Sequence, residues 1–245
     1  MPSSRLHFLR LLLALPLASC RVILPKAARP VRTLIHEPRT GRATELVVLL
    51  PGRHSKPEEF VREGIVRKVQ EKRPGARIIV PDLHLRYYME RTASQCLWEE
   101  IIRPARRESL PVTLVGVSLG GLGALITWLE HPCDIRQVLL LAPYLGEDEL
   151  LAEIRRSGLQ TSDPVFPEPR SQEDAMRVLW LRMEQQKRLA ASAPRAIRLA
   201  CGTKDRHLAA NRLFAESFLS ESQYQEVDGG HDWSAWRQGT AWLLR

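Results

Sequence analysis

Continuous apolar runs recur along this chain, and each one stops at a turn signal. Residues 45–50, Glu-Leu-Val-Val-Leu-Leu, end at Pro51-Gly52. Residues 77–80 end at Pro81-Asp82, and residues 138–142 end at Pro143-Tyr144. Residues 112–115 run into Gly116, and residues 195–200 run into Cys201-Gly202. Runs this short and this uniformly apolar suit strands buried on both faces. The segments between them carry helical spacing. Residues 57–72 place Phe60, Ile65, Val66 and Val69 near one face, and residues 94–102 form a second helix with Ser94 as its expected N-cap, ending before Pro104. Residues 206–218 and 232–244 read as later helices, residues 31–36 as an antiparallel edge strand, and residues 224–227 as a short last strand. Strands alternating with helices predict an α/β fold: a mostly parallel central sheet with helices on both faces.

Residues 146–191 break that rhythm. Helix candidates at 147–156 and 172–190 flank a Pro-rich stretch at 161–169. A small helical cap over the C-terminal ends of the strands is expected there, where open α/β sheets bind ligands. An ornamented crossover is the alternative. Together, residues 31–245 form one domain, a length ample for a large core.

The chain has 245 residues, 44% apolar residues and a net charge of +8. Its basic residues are interspersed with acids, and no basic tail or aromatic-basic interleaving is present. This pattern argues against nucleic acid and for a solvated surface with some attraction to anionic membrane.

Five residues carry the chemistry most directly. Gly116-Val117-Ser118-Leu119-Gly120 joins a strand to the apolar helical run 122–129. That layout is a nucleophile elbow, in which a tight turn lifts Ser118 out of the fold and the glycines let strand and helix approach. A serine hydroxyl needs a base, and the base needs an orienting acid. His231, in Asp228-Gly-Gly-His231-Asp-Trp, follows the last strand, and Asp205 follows the strand before it. The order Ser118, Asp205, His231 is the one expected of an α/β-hydrolase. Asp228 and Asp163 remain rival acids, and Asp205 can also cap the helix after it. Asp232 should point away. Trp233 and Trp236 read as packing residues, and His36, His54, His84, His131 and His207 as surface or loop residues.

From about residue 42 to 245 the chain resembles the α/β-hydrolase serine enzymes. Gly229-Gly-His231-Asp-Trp-Ser-Ala-Trp236 resembles the histidine block G-G-H-D-W-x-x-W of the esterase D-type carboxylesterases. The resemblance implies the α/β-hydrolase fold and a serine hydrolase that cleaves small-molecule carboxylic esters or thioesters without metal or cofactor. Ser118, His231 and Asp205 would be its triad. The backbone N–H of Leu119 would be one oxyanion donor. Leu49-Leu-Pro51-Gly52-Arg53 resembles the H-G-x-G loop, with proline in place of histidine, which makes the Arg53 amide the second donor. A lipase or thioesterase for longer acyl chains, and an inactive envelope scaffold, are the alternatives.

The N-terminus reads as a targeting segment. Arg5, His7 and Arg10 precede the short apolar run 11–18, which is too short to span a bilayer as a helix. Leu17-Ala18-Ser19-Cys20 resembles a bacterial lipobox. It implies a signal peptide over 1–19, a lipidated Cys20, a tether over 20–30, and anchoring in the cell envelope. Arg21 after the cysteine favours the periplasmic face of the outer membrane. An ordinary secretory signal is the alternative. Cys96, Cys133 and Cys201 remain, an odd set that cannot pair completely. Cys133 and Cys201 are expected to be small buried hydrophobes.

Overall fold

The structure, a computed structural model, describes residues 25–159, 171–190 and 197–245. Among these residues the strands are β1 (Thr33–His36), β2 (Glu45–Leu50), β3 (Ala76–Pro81), β4 (Val112–Val117), β5 (Ile135–Leu141), β6 (Ile197–Gly202) and β7 (Tyr224–Val227). They form one sheet in the order β1-β3-β2-β4-β5-β6-β7. Only β1 is antiparallel, paired with β3; every other pairing is parallel. The chain lays β3 on one side of β2 and then crosses to lay β4 on the other. The crevice beyond the C-terminal ends of β2 and β4 is therefore the topological switch point, where such sheets bind ligands.

Helices follow in the order α1 (Pro57–Arg62), α2 (Ile65–Lys72), α3 (Leu85–Met89), α4 (Ala93–Leu97), α5 (Arg103–Arg107), α6 (Leu119–Glu130), α7 (Asp148–Ser157), α8 (Gln172–Ala190), α9 (Leu208–Phe218) and α10 (Trp233–Leu243). Strand side chains alternate between two cores. Val48, Leu50 and Leu114 join the core beneath α3–α9, whereas Val47, Leu49 and Val115 join the one beneath α1, α2 and α10. The uninterrupted apolar runs are thus explained by a sheet covered on both faces.

The structure departs from the sequence reading in several places. Residues 57–72 form two helices, because Gly64 adopts φ 74°, in the left-handed region. Phe60 and Ile65 are five residues apart, so one straight helix would turn them to different faces. The break lets both reach the same core. The helix expected to end before Pro104 continues through it: a π turn at Trp98–Ile102 links α4 to α5. A wider turn before the proline relieves the clash its ring makes with the carbonyl four residues back. Ser94 is not the N-cap, which is Thr92; Ser94 lies inside α4 and its hydroxyl donates to the Glu130 carboxylate.

The stretch expected to be a tether is partly docked. The Ala28 backbone exchanges two hydrogen bonds with the Tyr87 hydroxyl, 3.0 and 2.7 Å long. Arg29 pairs with Glu99 and Glu100. The insertion contributes α7 and α8, and Trp180 anchors α8: it is fully buried and donates from Nε1 to the Leu145 carbonyl at 2.9 Å. Cys96 and Cys201 are buried, but Cys133 is exposed, against expectation, because it sits in the turn between α6 and β5. Cys20 and Asp163 lie outside the described residues. Among the described residues no helix is long and apolar enough to cross a membrane.

Candidate active site

β4 ends at Val117, and α6 begins at Leu119. The single residue between them must reverse the chain, and Ser118 does so at φ 52° and ψ −113°. A residue with a Cβ is strained there by about 1–3 kcal/mol. The strain is held by its surroundings. The Ser118 N–H donates to the Leu141 carbonyl at 2.9 Å, and its own carbonyl accepts from Gly121, Leu122 and Tyr144. Close packing fixes the helix as well. A Cβ on Gly116 would lie 2.3 Å from the Gly120 oxygen, and one on Gly120 would lie 2.2 Å from the Leu50 oxygen. Both positions of the G-x-S-x-G pattern therefore require glycine for close approach.

The turn aims the serine at His231. Ser118 Oγ is 2.9 Å from His231 Nε2. On the opposite side of the ring, Nδ1 is 2.8 Å from Asp205 Oδ2 and 3.0 Å from Oδ1. The Asp205 side chain is fully buried, and its Oδ1 also accepts the His207 backbone N–H at 2.8 Å. The loops bearing Asp205 and His231 are tied together, with Thr203 donating to Val227 and Lys204 to Gly229. Asp205 thus orients the imidazole and closes a turn onto the His207 amide, but it does not cap α9 as the sequence allowed: the N-cap is His207.

Of the two rival acids, Asp163 lies outside the described residues and Asp228 stands apart from the imidazole. Asp228 is 83% exposed and faces Lys204. Asp232 caps α10, accepting from the Ser234 and Ala235 amides, and Ser234 holds its carboxyl below the usual range. Trp233 and Trp236 pack as expected, against Phe60 and each other. Trp236 also meets His231 edge-on at 5.2 Å, so it braces the ring.

Two residues of this site escaped the sequence reading. His207, expected at the surface, sits between His231 (4.9 Å) and Tyr144 (5.6 Å), ring edge to ring face. Burial, and then the neighbouring His231, push its pKa down. Tyr144 donates its hydroxyl to Glu147 and accepts from Gln172. Burial and the Glu147 carboxylate push its phenol up to about 12. The usable signal for both was position: His207 is two residues past Asp205, and Tyr144 follows Pro143 at the end of β5.

Leu119 is the first residue of α6, so its N–H has no partner within the helix and lies at the positive end of the helix dipole. The turn after β2 lies beside the nucleophile. A Cβ on Gly52 would be 3.5 Å from Ser118 Cβ, and Ser55 N–H closes the turn on the Gly52 carbonyl. The Arg53 side chain is exposed. Among the described residues no cluster of three or more His, Cys, Asp or Glu side chains is placed to hold a metal ion.

The Esterase family model matches residues 91–240, a span that contains Ser118, Asp205 and His231. The chain belongs to the Esterase family. It has the α/β-hydrolase fold and is a hydrolase of carboxylic esters. No curated protein sequence matches it significantly. Solved structures share the fold at low identity. S-formylglutathione hydrolase (FrmB) from Staphylococcus aureus is 16% identical, with TM-score 0.55, over 84% of this chain and 83% of that one. The fluorophosphonate-binding serine hydrolase FphF of Staphylococcus aureus is 15% identical, with TM-score 0.58, over 88% and 92%. A ferulic acid esterase is 16% identical, with TM-score 0.58, over 87% and 96%.

Proposed function

We propose that Ser118, His231 and Asp205 carry the ester hydrolysis through an acyl-enzyme. The observation that supports this most directly is the unbroken hydrogen-bond line from Ser118 Oγ through His231 to Asp205. His231 Nε2 takes the Ser118 proton as Oγ attacks the acyl carbon, and buried Asp205 holds Nδ1 protonated and stabilises the imidazolium. Negative charge gathers on the former carbonyl oxygen and is stabilised, in this mechanism, by the amides of Leu119 and Arg53. Collapse expels the alcohol, or thiol, which takes the proton back from His231. Water then repeats the sequence and releases the acid and free Ser118. All charge movement occurs on protein groups and substrate.

A fluorophosphonate probe tests the assignment. The wild-type chain should be labelled at Ser118, and Ser118→Ala should lose both label and hydrolysis of p-nitrophenyl esters by several orders of magnitude. Absence of labelling in a folded wild-type chain would instead support an inactive scaffold.

We further propose that the protein is held in the bacterial cell envelope by lipid on Cys20, on the periplasmic face of the outer membrane. The basic residues, the short apolar run and the Leu17-Ala18-Ser19-Cys20 sequence support this. Incorporation of radioactive fatty acid that disappears in Cys20→Ser is the expected result; incorporation that persists in the variant rejects it.

A further inference from the structure

A cavity of about 620 Å³ runs between α6 and α8 and reaches Leu119 and Tyr144, which flank the Ser118 turn. Its volume falls in the usual range for a small-molecule site. One wall is a single face of α6: after Leu119 come Leu122, Gly123, Ile126 and Leu129, spaced by three or four residues. The facing wall is a stripe of α8 that includes Ala175 and Leu179, again at helical spacing. The near end is formed by Leu119, the residue after the nucleophile, and by Tyr144, whose N–H holds the Ser118 carbonyl. At the far end the polar Ser94 and Glu130 side chains are hydrogen-bonded to each other.

We infer that this trench is the acyl-chain site of the esterase and takes an unbranched chain of roughly a dozen carbons. The inference rests on the assignment of Ser118 as nucleophile and deepens it by naming the substrate class. Three observations carry it. The α6 wall is a continuous apolar stripe, crossed at Gly123 by the Tyr88 ring and its hydroxyl, with the other polar lining toward the ends. From Leu119 to Leu129 the stripe is ten residues of helix, about 15 Å at 1.5 Å per residue, the reach of an extended chain of that size. Finally, the trench reaches the residue after the nucleophile, Leu119, while Ser118, Asp205, His207 and His231 stand outside its lining. The departing alcohol must take its proton from His231, so the alcohol belongs on the histidine side. The group held along α6, leading away from Leu119, is then the acyl chain.

The test is a series of p-nitrophenyl esters from acetate to palmitate, assayed below their micelle concentrations, with the whole chain beyond the signal segment. Each carbon buried in the trench can raise kcat/KM by up to about fourfold. A rise of at least about tenfold from butyrate to decanoate, levelling near twelve carbons, is expected. Ile126→Trp places a large ring roughly 10 Å along the stripe from Leu119. It should pull the optimum down to about six carbons and collapse the decanoate-to-butyrate ratio. Ala175→Phe obstructs the trench from the opposite wall and serves if the first variant does not fold. A flat chain-length profile, with hydrolysis still abolished in Ser118→Ala, overturns the trench alone. An optimum unmoved in folded variants does the same. Hydrolysis that persists in Ser118→Ala overturns the reading of Ser118 and the trench with it.

Discussion

The strained turn at Ser118 makes a prediction that separates the demands of folding from those of catalysis. Ser118→Ala and Ser118→Gly both remove the hydroxyl and its bond to His231, so their difference isolates the backbone. At an ordinary buried position the glycine variant would be the less stable of the two. It forfeits a buried methyl, about 0.8 kcal/mol, and its freer unfolded chain costs roughly 0.4–1 kcal/mol more. The deficit would be about 1–2 kcal/mol. At φ 52° and ψ −113° the sign is contested, because alanine keeps a Cβ in that region and glycine does not. Release of roughly 1–3 kcal/mol of strain offsets the deficit. Ser118→Gly should therefore lie between about 1 kcal/mol below Ser118→Ala and about 2 kcal/mol above it. Urea denaturation of both variants, compared by midpoint at equal m, measures the difference. Both should be inactive toward esters. A glycine variant less stable than alanine by more than about 1 kcal/mol would show that the turn stores no strain.

Three further outcomes follow from other parts of the molecule. Glu45 and Arg73 form an ion pair whose side chains are 14% and 15% exposed, and Arg73 also reaches Thr113 and Gln137. Glu45→Ala should cost about 3 kcal/mol in urea denaturation, since it leaves a largely buried guanidinium without its carboxylate; a loss near that of a surface pair, below about 1 kcal/mol, rejects this. The depressed pKa of His207 means that below about pH 6.5 the unfolded chain binds a proton more readily than the native one. Its contribution to stability is full above that pH and declines as pH falls, so His207→Gln should lose less melting temperature than wild type between pH 7 and 5, and parallel curves would count against it. Trp180→Ala empties a fully buried site against Phe214 and Phe218 and should cost about 4 kcal/mol by the same denaturation assay; a cost under about 1 kcal/mol would show that α8 is anchored elsewhere.

What the sequence made legible was whatever local spacing dictates. The double-covered strands announced themselves because every second residue must enter one of two cores, and all are apolar. Ser118, Asp205 and His231 were readable because each follows a parallel strand, and parallel strands deliver their ends to one edge. The break at Gly64 was hidden because glycine is tolerated inside helices, and only the five-residue gap from Phe60 to Ile65 hinted at it. Pro104 misled because a π turn upstream removes the usual penalty, and nothing local marks that turn. His207 and Tyr144 were missed for a different reason. Their importance comes from each other and from His231, across gaps of 63 and 24 residues, and such contacts leave no periodic trace.

The two uses of α6 explain why the elbow glycines matter beyond the nucleophile. In the proposed mechanism the helix start supplies the Leu119 amide to the oxyanion, and one face of the same helix walls the trench. Its position is set by contact of Gly116 with Gly120 and of Gly120 with the end of β2. A shift of the helix would move the amide and the trench together. On these two proposals, the depth at which an acyl chain seats is coupled to the point where its carbonyl oxygen is received, through one rigid element rather than through separate loops. α8 forms the other wall, and it is held to the fold by Trp180 and by the Gln172–Tyr144 hydrogen bond at the trench mouth. Length selection can then change through substitutions on α8 while the amide at Leu119 stays fixed, which is the physical reason to obstruct the trench from each wall separately.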